Sequence, residues 1–405
     1  MLRPALWFVL GLLITQSAGA QDTGIAVTDR QAHPVESGVP ALLRAQSNYE
    51  QQPADTNALL TYIAALRQAR FSSVAYVLAQ QHPSKISADL MRELTVDYAA
   101  ELTRLSLAPS RSESERYRLA DRALEIYDKL LEKNNANPAI EAADHRILFD
   151  QIQALHARKR MQEVAQSYER LRVQNIVVPA YLLNEVGDAY LYLEQPKKAA
   201  TLYERSLAAN ADTHRDRSDV LKDKVGRYYA LQEQGRWAEA YTLLETTYAE
   251  EPEWRRLPGV NQPLPSDSYL EVARTWAVAP LFQNDPALAL ERLETPVENA
   301  PRDAGLKIEL ANTQRAYGRP RAARLTLKQA EALAPLNPDL LTAQAQTALS
   351  LQEWEQAHDL VTFSQEHYPE LKTTQHLQKD WLTHEKWELL IGARKTFSSD
   401  SPVSG

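Results

Sequence analysis

Three prolines, Pro301, Pro335 and Pro369, stand 34 residues apart, and three alanines, Ala289, Ala323 and Ala357, keep step with them. Four positions after each alanine comes a bulky apolar residue: Leu293, Leu327 and Val361. A repeat this short admits few folds, because one unit cannot close a hydrophobic core and must stack on its neighbours to bury an apolar face. Each mark has a physical cause. Alanine lets two antiparallel helices approach closely, and the large residue one turn later fills the gap between them. Proline ends a helix, because it has no N–H to donate, and its fixed φ suits the next helix start. Glycine, with 12 of 405 residues, is too scarce for the tight turns of a large β-protein, which need positive φ.

The alanine, the large residue four on and the closing proline at this period are the tetratricopeptide-repeat pattern. It extends upstream. Residues 180–213 carry Gly187, Tyr190, Ala199 and Tyr203 at the same spacing, and residues 221–254 carry Gly235, Trp237, Ala240, Leu244 and Pro252. A weaker copy from His145 holds Leu148, Leu155, Met161 and Tyr168. Two insertions, His214 to Val220 and Arg255 to Tyr269, break the register and are expected to be loops; the second contains Pro258, Pro263 and Pro265. Residues 37–135 read as off-register helices. Ala58 to Gln81 forms one hairpin turning near Arg70 and Phe71. Ile86 to Leu107 and Glu113 to Asn134 form a longer pair, with Ser112 and Glu115 at capping-box spacing. A last helix is expected from Lys372 to about His384. The fold class is therefore all-α: a superhelix of antiparallel helix pairs with a short strand-like tail, in which Trp387, Leu389, Ile391, Ala393 and Phe397 tend to alternate.

The N-terminus reads as a secretory signal. Arg3 precedes the apolar run Ala5 to Ile14, too short to span a bilayer, and Ala18-Gly19-Ala20 offers a cleavage site before Gln21. No later stretch of about 18 apolar residues follows. The chain has no cysteine, which excludes disulfides, thiolate metal sites and cysteine nucleophiles. An export signal on such a chain fits a bacterial periplasmic or outer-membrane destination. The net charge of −8 lacks the basic footprint of a nucleic-acid binder and suits neutral or cationic partners. The expected organisation is a signal peptide (1–20), an N-terminal segment (21–52) whose residues 21–36 are poorly ordered, degenerate hairpins (53–178), the repeat array (179–371), and a final helix with its strand-like tail (372–405).

One stretch exceeds what any repeat consensus demands: Ala99-Ala100-Glu101-Leu102-Thr103-Arg104-Leu105-Ser106-Leu107-Ala108-Pro109-Ser110-Arg111-Ser112-Glu113-Ser114-Glu115-Arg116-Tyr117, followed by Ala120-Asp121-Arg122-Ala123-Leu124. With Gln195 to Ala199, Gly318 to Ala323 and Ala348 to Ala357, it resembles the PgaA/HmsH-type family of outer-membrane exporters of poly-β-1,6-N-acetyl-D-glucosamine, a biofilm polymer. The resemblance implies a periplasmic repeat domain that receives partly de-N-acetylated polymer and docks the periplasmic de-N-acetylase, followed by an outer-membrane β-barrel. Only 19 residues, Trp387 to Gly405, follow the last expected helix. The smallest membrane barrels need about eight strands of roughly ten residues, so the expectation is a truncated or split reading frame whose first barrel strand starts at the tail.

In tetratricopeptide arrays, positions 2, 5, 9, 12 and 13 of each first helix usually face the concave groove. This count selects Tyr181, Asn184, Asp188, Tyr192, Tyr229, Glu233, Glu271, Asn312, Asp339 and Gln346, with Arg274 and Arg315 beside them. Aromatic faces stack on sugar rings, and Asn, Asp and Gln pair with hydroxyls; singly, each is also an ordinary exposed polar residue. Residues 338–371 hold Asp339, Glu353, Glu355, Asp359, Glu366 and Glu370 without a lysine or arginine, a surface that would attract ammonium groups or simply be solvated. Parts for catalysis are missing: His384-Glu385 lacks the second histidine of a zinc motif, and neither a Gly-x-Ser-x-Gly elbow nor a phosphate-cradling glycine loop occurs. No cofactor and no metal are implied. The alternatives are a stand-alone periplasmic protein-interaction scaffold and an adaptor of another exopolysaccharide exporter.

Overall fold

Each proline of the 34-residue series stands three residues before a helix. The computed structural model describes residues 39–107, 115–132, 144–210, 217–256 and 261–386. They form 18 α-helices: α1 (Val39–Gln51), α2 (Thr56–Gln68), α3 (Ser72–Gln81), α4 (Ala88–Ser106), α5 (Arg118–Glu132), α6 (His145–Ala157), α7 (Met161–Val173), α8 (Ala180–Tyr192), α9 (Pro196–Asn210), α10 (Arg217–Glu233), α11 (Trp237–Glu250), α12 (Asp267–Val278), α13 (Pro286–Asn299), α14 (Ala304–Ala316), α15 (Pro320–Glu331), α16 (Pro338–Leu351), α17 (Trp354–His367) and α18 (Lys372–His384). Sequential helices pack as antiparallel pairs, as in α8/α9, α14/α15 and α16/α17. The fold is a tetratricopeptide-repeat array. It divides into two compact units, Met1–Val272 and Ala273–Gly405.

The periodic residues do what their chemistry requires. Ala199, Ala240, Ala289, Ala323 and Ala357 have no exposed surface, and Tyr203, Leu244, Leu293, Leu327 and Val361, one turn further on, are buried with them. In the first unit one contiguous core runs from Val96 on α4 to Ala230 on α10. In the second, Ile308, Ala311, Ala323, Leu327 and Leu340 form the corresponding core. Helix starts are capped from side chains: Asp303 accepts from the Leu306 N–H and Asn337 from those of Asp339 and Leu340. The turn between the helices of a pair places one residue at left-handed φ: Arg70, Lys159, Glu194, Gly235, Gly318 and Gln352.

Several expectations need correction. Arg217 to Val220 is the first turn of α10, not loop; Asp219 there is favourably placed at a helix N-terminus. The second insertion includes a two-residue antiparallel pairing, β1 (Trp254–Arg255) with β2 (Leu264–Pro265), and α12 begins at Asp267 inside it. Helix α5 starts at Arg118, later than the spacing of Ser112 and Glu115 suggests, and the Asp121 N–H reaches the Tyr117 carbonyl at 2.8 Å. Helix α1 lies within residues 37–135, which read as helical. The signal peptide, residues 21–36, Ser112 and the strand-like tail lie outside the described residues.

In the first unit a tyrosine packs between two glycines. Tyr203 on α9 is fully buried. A Cβ on Gly187 would stand 2.8 Å from its ring, and one on Gly226 would stand 2.5 Å from it. Only glycine on α8 and α10 leaves room for the ring. Gly226→Ala is therefore expected to lower the unfolding free energy by about 1–3 kcal/mol through overpacking. In the double variant with Tyr203→Leu the two costs should be less than additive. Urea unfolding followed by circular dichroism measures both; additive costs would mean that the two residues do not share the space.

Candidate functional site

The first helices of successive pairs line up side by side in the first unit, α4 against α6, α6 against α8 and α8 against α10. Their common face carries a ladder of charges. Arg67 on α2 bonds Glu93 at 2.9 Å and Asp97 at 2.8 Å, both on α4. Arg146 on α6 bonds Asp97 at 2.6 Å and lies 3.7 Å from Asp150, one turn along α6. Asp150 Oδ2 is buried without a hydrogen-bond partner, and so is Glu185 Oε2 on α8. Burial pushes the Asp150 carboxyl up to about 6; Arg146 opposes the shift and Asp97 adds to it. Burial likewise raises Glu185, against the pull of His156. Tyr181, one turn before Glu185, is 41% exposed. Its hydroxyl is raised to about 12 by burial first, then by Asp150 and Glu185.

A second polar group ties four helices together. Asp188 on α8 accepts from the Tyr203 hydroxyl on α9 at 2.6 Å and from His156 Nε2 on α6 at 3.1 Å. Burial alone would raise the Asp188 carboxyl, but these bonds and the His156 charge outweigh it and hold it below the usual range. Burial and Asp188 keep the Tyr203 hydroxyl well above the ordinary tyrosine range, so it remains a donor. Asp223 on α10 has no exposed surface; it accepts from Asn184 Nδ2 at 2.7 Å and from Ser206 Oγ at 2.6 Å. Asn184 and Asp188 thus brace the array, while Tyr181 faces outward. Of the other residues counted from the sequence in this unit, Tyr192 packs partly against the core. Tyr229 lies edge-on to Tyr228 at 5.0 Å. Glu233 is exposed, and Glu271 is half-buried on α12.

In the second unit, Gln346 on α16 reaches Arg315 on α14, three residues after Asn312. Arg315 Nη2 donates to Gln346 Oε1 at 2.8 Å. Asp339 is exposed at the start of α16. Glu309 on α14 is raised by burial, against Arg274. Among the described residues no group of three His, Cys, Asp or Glu side chains is placed to hold a metal ion, and no helix is long and apolar enough to cross a membrane.

Comparison with known proteins places this geometry. No family model matches the chain. The poly-β-1,6-N-acetyl-D-glucosamine export protein of Escherichia coli K12 is 33% identical over 368 residues, which cover 90% of this chain and 44% of that protein; its counterpart in strain O157:H7 matches equally. The chain is a relative of these export proteins. It spans less than half of their length and matches their N-terminal tetratricopeptide part. Among solved structures, a Rap protein complexed with competence and sporulation factor superposes with a TM-score of 0.49 at 12% identity, over 81% of this chain and 96% of that one. A tetratricopeptide-repeat protein from Parabacteroides merdae gives 0.39 at 12%, over 85% and 100%.

In this export-protein relative, counting groove positions missed Asp150 and Glu185, along with their neighbours Arg146 and His156. Both carboxylates stand sixth in their helices, one place beyond a counted position, and 35 residues apart. That near-repeat spacing of acids in first helices was a signal available in the sequence.

The pH dependence follows from the raised carboxyl. Asp150 binds its proton more tightly folded than unfolded, so its ionised form costs stability above pH 6, and the cost fades as pH falls towards the ordinary carboxylate value. Asp150→Asn should therefore stabilise the protein by about 1–3 kcal/mol at pH 7.5 and lose that advantage near pH 4. Asp188 has the opposite sign: its depressed carboxyl adds stability above the ordinary value, lost as pH falls through its folded one. Urea melts of both forms at the two pH values decide the matter; an equal gain at both would rule out the charge of Asp150 as the cause.

Proposed function

We propose that the chain is the tetratricopeptide part of an exopolysaccharide export protein, which receives partly de-N-acetylated poly-β-1,6-N-acetyl-D-glucosamine in the periplasm and passes it to an outer-membrane β-barrel. The observation that carries this reading is the pair of buried carboxylate oxygens without a hydrogen bond, Asp150 Oδ2 and Glu185 Oε2, with the exposed Tyr181 ring one turn before Glu185 on the same helix. A glucosamine unit offers an apolar CH face for the ring and an ammonium for the carboxylates. Contacts of this kind are weak and salt-sensitive, which suits a polymer that must slide; a tight site would stall it. The ammonium favours ionised carboxylates, so binding should expel the proton that burial holds on Asp150, and affinity should fall as pH drops through about 6.

A protein partner, the de-N-acetylase of the same system, belongs to this proposal. Trp254, 54% exposed on the small β-hairpin, and Val173 and Val177, exposed at the α7–α8 link, are apolar side chains suited to protein contact.

Titration of the chain with a fully de-N-acetylated β-1,6-glucosamine pentasaccharide tests the sugar reading. Asp150→Asn with Glu185→Gln should weaken binding by about tenfold, in keeping with the loss of a charge-assisted hydrogen bond, and Tyr181→Ala should weaken it further. Unchanged affinity in the double variant would sink the assignment. For the partner, co-sedimentation with the de-N-acetylase should diminish in Trp254→Ala; binding of the enzyme that ignores every exposed apolar residue named here would remove that part of the proposal.

A further inference from the structure

The outer faces of two second helices, α15 and α17, carry opposite charge. On α15, Arg321, Arg324 and Lys328 are exposed along one face; on α17, Glu355, Asp359 and Glu366 are. Ala323 and Leu327, like Ala357 and Val361, turn inward, so these charged faces are the ones the core leaves free. They are equivalent surfaces of consecutive repeats: Arg321 and Glu355 stand 34 residues apart, as do Leu325 and Asp359. Arg324 Nη1 donates to Glu353 Oε1, at the start of α17, at 2.6 Å, which sets the two helices side by side. Among the described residues, Arg321, Lys328, Glu355, Asp359 and Glu366 form no ion pair. Second helices of the first unit are built differently. Their charges alternate in sign and pair locally, as Arg160 does with Glu163 and Arg172 with Glu169 at α7, and Arg236 with Glu239 at α11. On α15 and α17 like charges stand three or four residues apart: Arg321 and Arg324, Arg324 and Lys328, Glu355 and Asp359. Neighbours at that spacing repel each other.

Like charge gathered in this way is relieved by a surface of opposite sign, and a partner for this surface must suit both helices at once. A polycation suits α17 and is repelled by α15; a polyanion or an anionic membrane suits α15 and is repelled by α17. A surface with one acidic and one basic helix at the matching spacing exists in the chain itself. We propose that two copies of the chain associate through α15 and α17, about a two-fold axis that runs between these helices and along them. The rotation lays α15 of each copy on α17 of the other, pointing the same way. Equivalent positions then meet: Arg321 comes to Glu355 of the other copy and Lys328 to Asp359, with Leu325, 64% exposed, as the apolar contact between them. Each pairing occurs twice, because a two-fold contact uses the same patch on both copies. Exposed ion pairs are individually weak and screened by salt, so the association is reversible and set by ionic strength. It uses the second unit alone and asks nothing of the polymer.

Sedimentation velocity of the full chain is the test. In about 50 mM salt a dimer should form as concentration rises, and about 0.5 M salt should weaken it by about tenfold or more. Arg321→Glu with Lys328→Glu turns the α15 face acidic like its neighbour; Glu355→Lys with Asp359→Lys turns the α17 face basic. Each double variant alone should lose the dimer. Mixed in equal amounts, the two should associate with each other, because every face then meets its opposite. All four residues are exposed, so circular dichroism should show both variants folded, and recovery in the mixture is a result that a damaged fold does not give. A wild type that stays monomeric at about 0.1 mM, variants that self-associate as the wild type does, or a mixture that fails to associate would each overturn the proposal. Association indifferent to salt would overturn its basis in charge. Oligomers that keep growing with concentration would overturn the two-fold axis, since a closed contact stops at two. A monomer whose acidic face takes up the de-N-acetylated pentasaccharide, or whose basic face takes up phosphatidylglycerol vesicles, with loss in the matching variant, would give that face to another partner and overturn the self-contact.

Discussion

The closeness with which an alanine lets two helices approach sets the terms for the rest of this chain. Five alanines at the crossing points have no exposed surface, and the large residue one turn on fills what the small one leaves open. Cores of this kind lie between the helices of a pair and between neighbouring pairs. They place no demand on the remaining face of each first helix, which is free to carry charge. The Tyr203 contact is an extreme form of the same constraint. There the small residues are glycines on α8 and α10, and the ring reaches far enough to place its hydroxyl on Asp188.

Along the first-helix face, paired and unpaired charge follow one another. From Glu93 to Arg146 each charge has a partner, and such half-exposed pairs are individually worth little. At Asp150 and Glu185 one carboxylate oxygen of each is buried without a hydrogen bond, and Arg146 stands 3.7 Å from the one on Asp150. A sequence that satisfied only stability would place neutral side chains there. Places where a fold tolerates unmet polar groups are where function is expected to lie.

Much of the fold could be read from the residues because the period is enforced by sterics. Ala323 and Leu327 have no tolerable substitutes of another shape, so they mark the register openly. The start of α10 at Arg217 was hidden because nothing apolar announces it, and α5 began later than the Ser112–Glu115 spacing suggested because capping signatures occur without a helix behind them. The candidate site was only partly legible. Position counting selected Tyr181, which is exposed, and Gln346, which accepts from Arg315. It also selected Asn184 and Asp188, whose work is structural, and Tyr192, which is partly core. Whether a polar side chain is satisfied depends on residues in the next repeat, such as Asp223 for Asn184, and no single-repeat count contains that information.

The left-handed residue between the helices of a pair carries a further meaning. Arg70, Lys159, Glu194 and Gln352 occupy a conformation that glycine would adopt more easily, as Gly235 and Gly318 do. The strain is small, on the order of 1–2 kcal/mol each. In return these four hairpin tips bear side chains whose identity the core does not constrain: two are cationic, one anionic and one neutral. The bends of the array are thus its most freely rewritable positions: a lineage could retune how each repeat greets its surroundings there, repeat by repeat, without disturbing a single buried alanine.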